Sequence, residues 1–287
     1  MNRKDLLRGD ELSVSKALTV IESDRVAARS LIESLPEREY YVIGITGSSG
    51  AGKSTLVNWL SVSFSDASRT AVLAIDPSSP FKGGAFLGDR IRMSRATRSG
   101  KILIRSMASR GMVGGLSPSI FDAVELLGRC GYYYIIVETV GIGQAETDIV
   151  NLSDVVVLVL APGIGDDIQI MKAGIMEIGD IYAVNKMDTN GADQLANRIR
   201  SVLDFVGVKR EIVKTNSLTG ANVDSLFQLM IKELDKREKR GKIEESRQRR
   251  REIAELNTAF SALKEAHSRG VKLEAIMECI NRLREDG

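Results

Sequence analysis

Eight residues constrain this chain more than any other stretch: Gly47-Ser48-Ser49-Gly50-Ala51-Gly52-Lys53-Ser54. They fit the pattern GxxxxGK[ST] at every fixed position. The apolar run Tyr41–Thr46 leads in with strand character, and Thr55, Leu56, Trp59 and Leu60 lead out at helical spacing. A strand, a glycine-rich turn and a helix in that order make a cradle for an anion. The glycines let the backbone close around it, and the free N–H groups and partial positive charge of the first helical turn point at it. Lys53 is then placed to reach the terminal phosphates of a nucleotide, and the Ser54 hydroxyl to ligate Mg2+. The predicted phosphate-binding residues run from Gly47 to Thr55; Trp59 reads as core.

The rest of the chain agrees with an α/β fold. Strand-like runs cover Tyr41–Thr46, Ala71–Ile75, Ile102–Arg105, Tyr133–Glu138, Val155–Leu160, Ile181–Asn185 and Ile212–Thr215. Several are apolar at consecutive positions, which suits parallel strands buried on both faces. Helical patterns lie between them at Lys53–Phe64, Pro118–Arg129, Asp167–Ile178, Asp193–Phe205 and Val223–Arg237. This alternation predicts a P-loop NTPase fold, a mainly parallel sheet flanked by helices. Before it, Val14, Leu18 and Ile21, then Ala27, Leu31 and Ile32, make a helical extension that Pro36 stops. After it, Ile253, Leu256, Phe260, Leu263 and His267 form a heptad-like stripe that Gly270 breaks. Leu273, Ile276, Ile280 and Leu283 resume it, so a helical hairpin with an exposed apolar seam is expected. The expected division is 1–38 helical extension, 39–235 nucleotide-binding domain and 236–287 helical arm.

Composition narrows the classes. The 40 Lys+Arg and 38 Asp+Glu leave a net charge of +2, so a dedicated nucleic-acid binder is not expected. The basic stretches Lys236–Arg240 and Arg247–Arg251 are interleaved with glutamates and read as solvated helix faces. Two distant cysteines and one histidine argue against a disulfide scaffold or a Cys/His metal site. The first residues lack a secretory pattern, and the longest apolar run, Val155–Ala161, is too short to span a bilayer. A cytoplasmic protein without membrane contact is expected.

Asn185-Lys186-Met187-Asp188 follows a buried strand and has the form NKxD. A carboxylate at Asp188 can accept from guanine N1–H and from the 2-amino group. Adenine offers no donor there and would leave a buried charge unpaired. Asn185 would tether the loop, the Lys186 stem would cover the ring, and backbone N–H groups of Thr215-Asn216-Ser217-Leu218 would complete the pocket. Glu138-Thr139-Val140-Gly141 ends another strand: Glu138 can hold a Mg2+-bound water, and the Gly141 N–H can contact a γ-phosphate. Asp76 and Asp89 are further candidates for Mg2+, directly or through water. An Asp-Pro turn is the alternative reading at Asp76, and a helix N-cap the alternative at Asp89. The predicted catalytic set is Lys53, Glu138, Gly141 and Asp89; the predicted metal set is Ser54, Asp76, Asp89 and Glu138.

The phosphate loop, Asp76-Pro77-Ser78-Ser79-Pro80, Gly88-Asp89, Glu138-Thr139-Val140-Gly141-Ile142-Gly143-Gln144 and Asn185-Lys186-Met187-Asp188 together resemble the MeaB/ArgK GTPases. Lys16-Ala17-Leu18-Thr19 and Glu22-Ser23 resemble that family's N-terminal region. The resemblance covers nearly the whole chain and is weakest after Lys236. It implies binding and hydrolysis of GTP to GDP with Mg2+, in the service of a cobalamin-dependent acyl-CoA mutase such as methylmalonyl-CoA mutase. Hydrolysis would gate cofactor loading and protect or repair that partner. It also implies a homodimer through the C-terminal arm. A segment from Gly163 to Lys172 would read the partner, with Asp166 and Lys172 as contact candidates. Ile142 stands where many signalling GTPases place a water-orienting Gln, so slow intrinsic hydrolysis stimulated by the partner is expected. Arg92, Arg105 and Arg110 are candidate charge stabilisers. Two alternatives remain: a P-loop small-molecule kinase or ATPase linked to amino-acid transport, an older label in the family, and a nickel-enzyme maturation GTPase, against which the lone His267 and isolated cysteines speak.

Overall fold

The structure is a computed structural model of the chain and describes residues 2–76, 101–108, 116–139, 145–163 and 177–272. Seven parallel strands form one sheet: β1 (Tyr41–Gly47), β2 (Thr70–Asp76), β3 (Ile102–Ala108), β4 (Tyr134–Thr139), β5 (Val155–Leu160), β6 (Ile181–Val184) and β7 (Glu211–Lys214). Their spatial order is β3-β2-β4-β1-β5-β6-β7. The chain runs from β1 out to β2 and β3, returns to β4 beside β1, and then crosses to β5, β6 and β7, so the carboxyl ends of β4, β1 and β5 stand side by side at the centre of one edge. That is where open parallel sheets bind ligands.

Burial explains why these segments are strands. Every residue of β1, β4 and β5 is buried, and neighbouring side chains pack into opposite cores. Val42, Leu73 and Val137 belong to one cluster, and Ile43, Val72 and Ile136 to the other. The first core is covered by α1 (Arg3–Arg8), α2 (Glu11–Ser23), α3 (Arg25–Glu33), α5 (Pro118–Arg129) and α6 (Ala145–Leu152). The second is covered by α4 (Lys53–Ala67) and α8 (Val223–Glu238). Helix α7 (Ala192–Phe205) covers a third cluster with β5 and β6. Each fully buried side chain such as Leu60 or Phe64 contributes roughly 1.5–3 kcal/mol relative to exposure.

The N-terminal helices are punctuated by aspartates. Asp10 accepts from Ser13 N at 2.9 Å. Asp24 accepts from Ala27 N at 3.0 Å, ending α2 and starting α3. Arg25 and Arg29 on α3 then pair with Asp122 (3.3 Å) and Glu125 (2.7 Å) on α5. Arg105, a candidate charge stabiliser, pairs with Glu22 of α2.

The long helix α9 (Lys242–Ser268) differs from the expected solvated basic face. Its buried stripe is Ile243, Ser246, Arg250 and Ala254. Arg250 is 3% exposed and donates to Asp154 at 2.7 Å and to Leu152 O at 3.0 Å. Arg237 of α8 donates to Asp154 O at 2.7 Å and pairs with Asp180. Asp154 and Asp180 immediately precede β5 and β6, where their carboxylates also accept from Val42 N (2.7 Å) and Val156 N (3.0 Å). Burial raises the Asp180 carboxyl above its ordinary range, with Arg237 opposing. These basic residues therefore seal the amino ends of the sheet. On the outer side of α9, Leu256 and Phe260 are 71% and 69% exposed, and His267 is exposed as well. The remainder of the expected seam, Leu273 to Leu283, lies outside the described residues, as does almost all of the expected helix 167–178. No helix among the described residues is long and apolar enough to cross a membrane.

Candidate nucleotide-binding site

The phosphate loop leaves the carboxyl end of β1 and enters α4, as its sequence predicts. Gly47 has φ +133°, and a Cβ there would lie 2.0 Å from Val159 O on the adjacent strand. A side chain would thus collide with backbone. Lys53 folds back over the loop, donating to Gly47 O at 2.7 Å and Ser48 O at 2.9 Å. The Ser54 hydroxyl donates to Glu138 Oε1 at 2.6 Å, a charge-assisted bond between the helix start and β4. Glu138 is 2% exposed. Beside it, Thr139 donates to Thr46 Oγ1 at 2.8 Å and ties β4 to β1. Ser48 Oγ is buried without a hydrogen-bond partner among the described residues.

The second loop follows β6. Asn185 is fully buried and bridges three segments. Its Nδ2 donates to Ala51 O (2.7 Å) and to Ser217 Oγ (2.9 Å). Its Oδ1 accepts from Ser217 N (3.0 Å) and Thr215 Oγ1 (3.2 Å). A Cβ on Gly52 would come within 2.3 Å of that Nδ2, so the phosphate loop can sit this close to Asn185 only with glycine there. Lys186 adopts φ +57°, an uncommon region for a residue with a side chain. Asp188 Oδ1 accepts from Asn216 Nδ2 at 2.8 Å.

The structure thus brings Gly47–Ser54, Glu138, Asn185, Asp188 and Ser217 to one edge of the sheet. Asp76 is the last residue of β2, two positions beyond Ala74, which pairs in register with Glu138. Asp89, Gly141, Ile142, Gln144, Asp166, Lys172, Arg92 and Arg110 lie outside the described residues. The N–H groups of Ser217 and Leu218 donate within the protein, to Asn185 and to Asn216 Oδ1 (3.0 Å), and Leu218 itself is 80% exposed. Sequence reading gives Thr215 and Asn216 a place in the base pocket through backbone N–H groups only, whereas their side chains brace Asn185 (3.2 Å) and Asp188 (2.8 Å); Trp59 reads as core, yet its indole N–H donates to Ser217 O at 2.9 Å. For Asn216 the signal was its place in Thr215-Asn216-Ser217 beyond the last strand. For Trp59 there was none, because its partner lies 158 residues away.

A parallel sheet with this loop at its central edge defines a P-loop nucleotide-binding protein. More particularly, the chain belongs to the family described as methylmalonyl Co-A mutase-associated GTPase MeaB, whose model matches residues 14–271. A Pyrococcus horikoshii protein whose name proposes a GTPase is 43% identical over 258 residues, covering 85% of this chain and 80% of its own length. A Caenorhabditis elegans protein named methylmalonic aciduria type A homolog, mitochondrial, is 36% identical over 203 residues, covering 64% of this chain and 51% of its own length. Among solved structures, the LAO/AO transport system kinase matches with TM-score 0.70 at 22% identity, over 92% of this chain and 84% of the other. HypB from Helicobacter pylori in complex with nickel matches with TM-score 0.52 at 15% identity, over 74% and 94%. At these identities the structural likeness speaks for the fold.

Proposed function

We propose that this MeaB-family GTPase binds GTP and hydrolyses it to GDP to assist a cobalamin-dependent acyl-CoA mutase. The observation that carries the nucleotide reading is the bond from Asn185 to Ala51 O at 2.7 Å. It locks the guanine-reading loop to the phosphate loop, so a base on Asp188 and phosphates on Gly47–Thr55 belong to one ligand.

Each side chain has a task in this reading. Asn216 fixes the rotation of the Asp188 carboxylate, which accepts from guanine N1–H and its 2-amino group. The Lys186 stem lies along the ring. Lys53 exchanges the Gly47 and Ser48 carbonyls for phosphate oxygens, and the buried Ser48 hydroxyl donates to the same anion. Ser54 and Glu138 offer neighbouring oxygens suited to a hard cation, with Asp76 and Asp89 as further carboxylates. No group of three or more His, Cys, Asp or Glu side chains that could hold a metal occurs among the described residues. Mg2+ is usually bound by one or two carboxylates together with phosphate and water, and Glu138 beside the Ser54 hydroxyl offers one such carboxylate. When bound, the ion neutralises charge developing on the phosphates. Gly141 would sense the γ-phosphate.

The partner reading is supported by the family description and by the name of the nematode relative. Because Ile142 carries no polar group to orient water, intrinsic turnover is slow and a mutase accelerates it. Assembly is a cytoplasmic homodimer through the C-terminal arm. The direct test adds a purified cobalamin-dependent acyl-CoA mutase to the protein and follows phosphate release from GTP. A rise of tenfold or more is expected; an unchanged rate contradicts the partner assignment.

A further inference from the structure

Trp59 lies on α4, under two turns beyond Lys53. Sequence reading makes it core, yet its indole N–H reaches out of the helix to Ser217 O at 2.9 Å. The peptide joining Ser217 and Leu218 is consequently held at both polar ends. Its carbonyl accepts from Trp59, and its N–H donates to Asn216 Oδ1 at 3.0 Å. Behind it the loop closes on itself: Asn216 N donates to Ala221 O at 3.0 Å and Gly220 N to Asn216 O at 2.8 Å. These bonds tie the loop to itself, and its place is set by contacts from outside, among them Asp188 on Asn216 and Met187 N on Thr215 O. Asn185 attaches it to the phosphate loop, and Trp59 attaches it to the phosphate helix. The ring also seats the loop's far side, because a Cβ on Gly220, at φ +84°, would stand 2.8 Å from indole Cη2 and Cζ2.

We propose that Trp59 is a positioning residue for base recognition. It holds the Ser217–Leu218 peptide in one orientation and sets the distance between the base pocket and the phosphate site. The chemistry is directional. Guanine O6 is an acceptor. Without the indole the peptide is held only through its N–H on Asn216 Oδ1, and its carbonyl can swing toward the base, which presents an acceptor to an acceptor. Losing the indole N–H therefore weakens the hold on the base while the phosphate loop keeps its own contacts.

The proposal rests on the guanine reading above, and its test separates the two. Trp59→Phe keeps an aromatic ring against Gly220 and removes the donor. Binding of GDP and of inorganic pyrophosphate is measured for both proteins, with thermal unfolding alongside. The expected result is a three- to tenfold loss of GDP affinity, pyrophosphate affinity within twofold of wild type, and a Trp59→Phe variant that still unfolds cooperatively. If GDP affinity is unchanged, or if GDP and pyrophosphate fall together, the positioning role is overturned. If the wild-type protein binds GDP no better than pyrophosphate, the guanine reading itself is wrong. A second measurement needs no variant: Trp59 is the one tryptophan in the chain, so its emission reports on this contact. Saturating GDP shifts that emission and pyrophosphate does not; emission indifferent to GDP also overturns the proposal.

Discussion

Lys53 Nζ lies 2.7 and 2.9 Å from the carbonyls of Gly47 and Ser48, so its ammonium is already held over the space the loop encloses. Little reorganisation is required for it to meet a phosphate, and the interaction is charge-assisted. Lys53→Ala should weaken GDP by about 30- to 100-fold, as expected for losing a hydrogen bond to a charged group worth roughly 2–3 kcal/mol. Equilibrium titration reads this directly, and a loss under threefold would mean that Lys53 does not face the ligand. Asn185 acts differently at the same scale. It has no charge to offer, but its amide satisfies two donors and two acceptors across Ala51, Thr215 and Ser217. Being fully bonded, it defines geometry rather than supplying charge.

At the scale of elements, the sheet is sealed at its amino ends by arginines from α8 and α9. Arg250 and Asp154 have side chains 4% and 0% exposed, and removing one member of such a pair leaves a buried charge. Arg250→Met should lower unfolding free energy by about 3–5 kcal/mol, measured by urea denaturation. A loss under 1 kcal/mol would show that α9 is not anchored there. This anchoring marks where sequence reading stops. The strands were legible because runs such as Val155–Leu160 are apolar on both faces, and Pro118–Arg129 because Ser117-Pro118 marks its start. Arg250 was not. In sequence it is one of five residues in Arg247–Arg251, and only the pitch of α9 buries it fully while Arg247, Arg249 and Arg251 beside it stay half-buried. The phosphate loop was legible because each residue type is dictated by what it must do. The Trp59–Ser217 contact was not, because nothing in the sequence around either residue records the other.

Taken as a whole molecule, the nucleotide edge and the sealed edge lie at opposite ends of one sheet, and the outer side of α9 faces neither. Leu256 and Phe260 are exposed there at a spacing that suits a helix–helix seam. Phe260→Glu should convert the proposed dimer to a monomer in light scattering while leaving GDP affinity within twofold. A dimer that survives the substitution places the interface elsewhere. The central claim is that one end of this sheet reads guanine and phosphate together. Calorimetric titration of the wild-type protein and of Asp188→Asn with GDP, ADP and XDP tests it most directly. The exchange turns an acceptor into a donor, so wild type should prefer GDP over ADP by at least about 100-fold, on the scale of sites that reject a ligand lacking the required donors. Asp188→Asn should lose GDP and gain XDP. Equal binding of ADP and GDP by the wild type, or undiminished GDP affinity in Asp188→Asn, would contradict it.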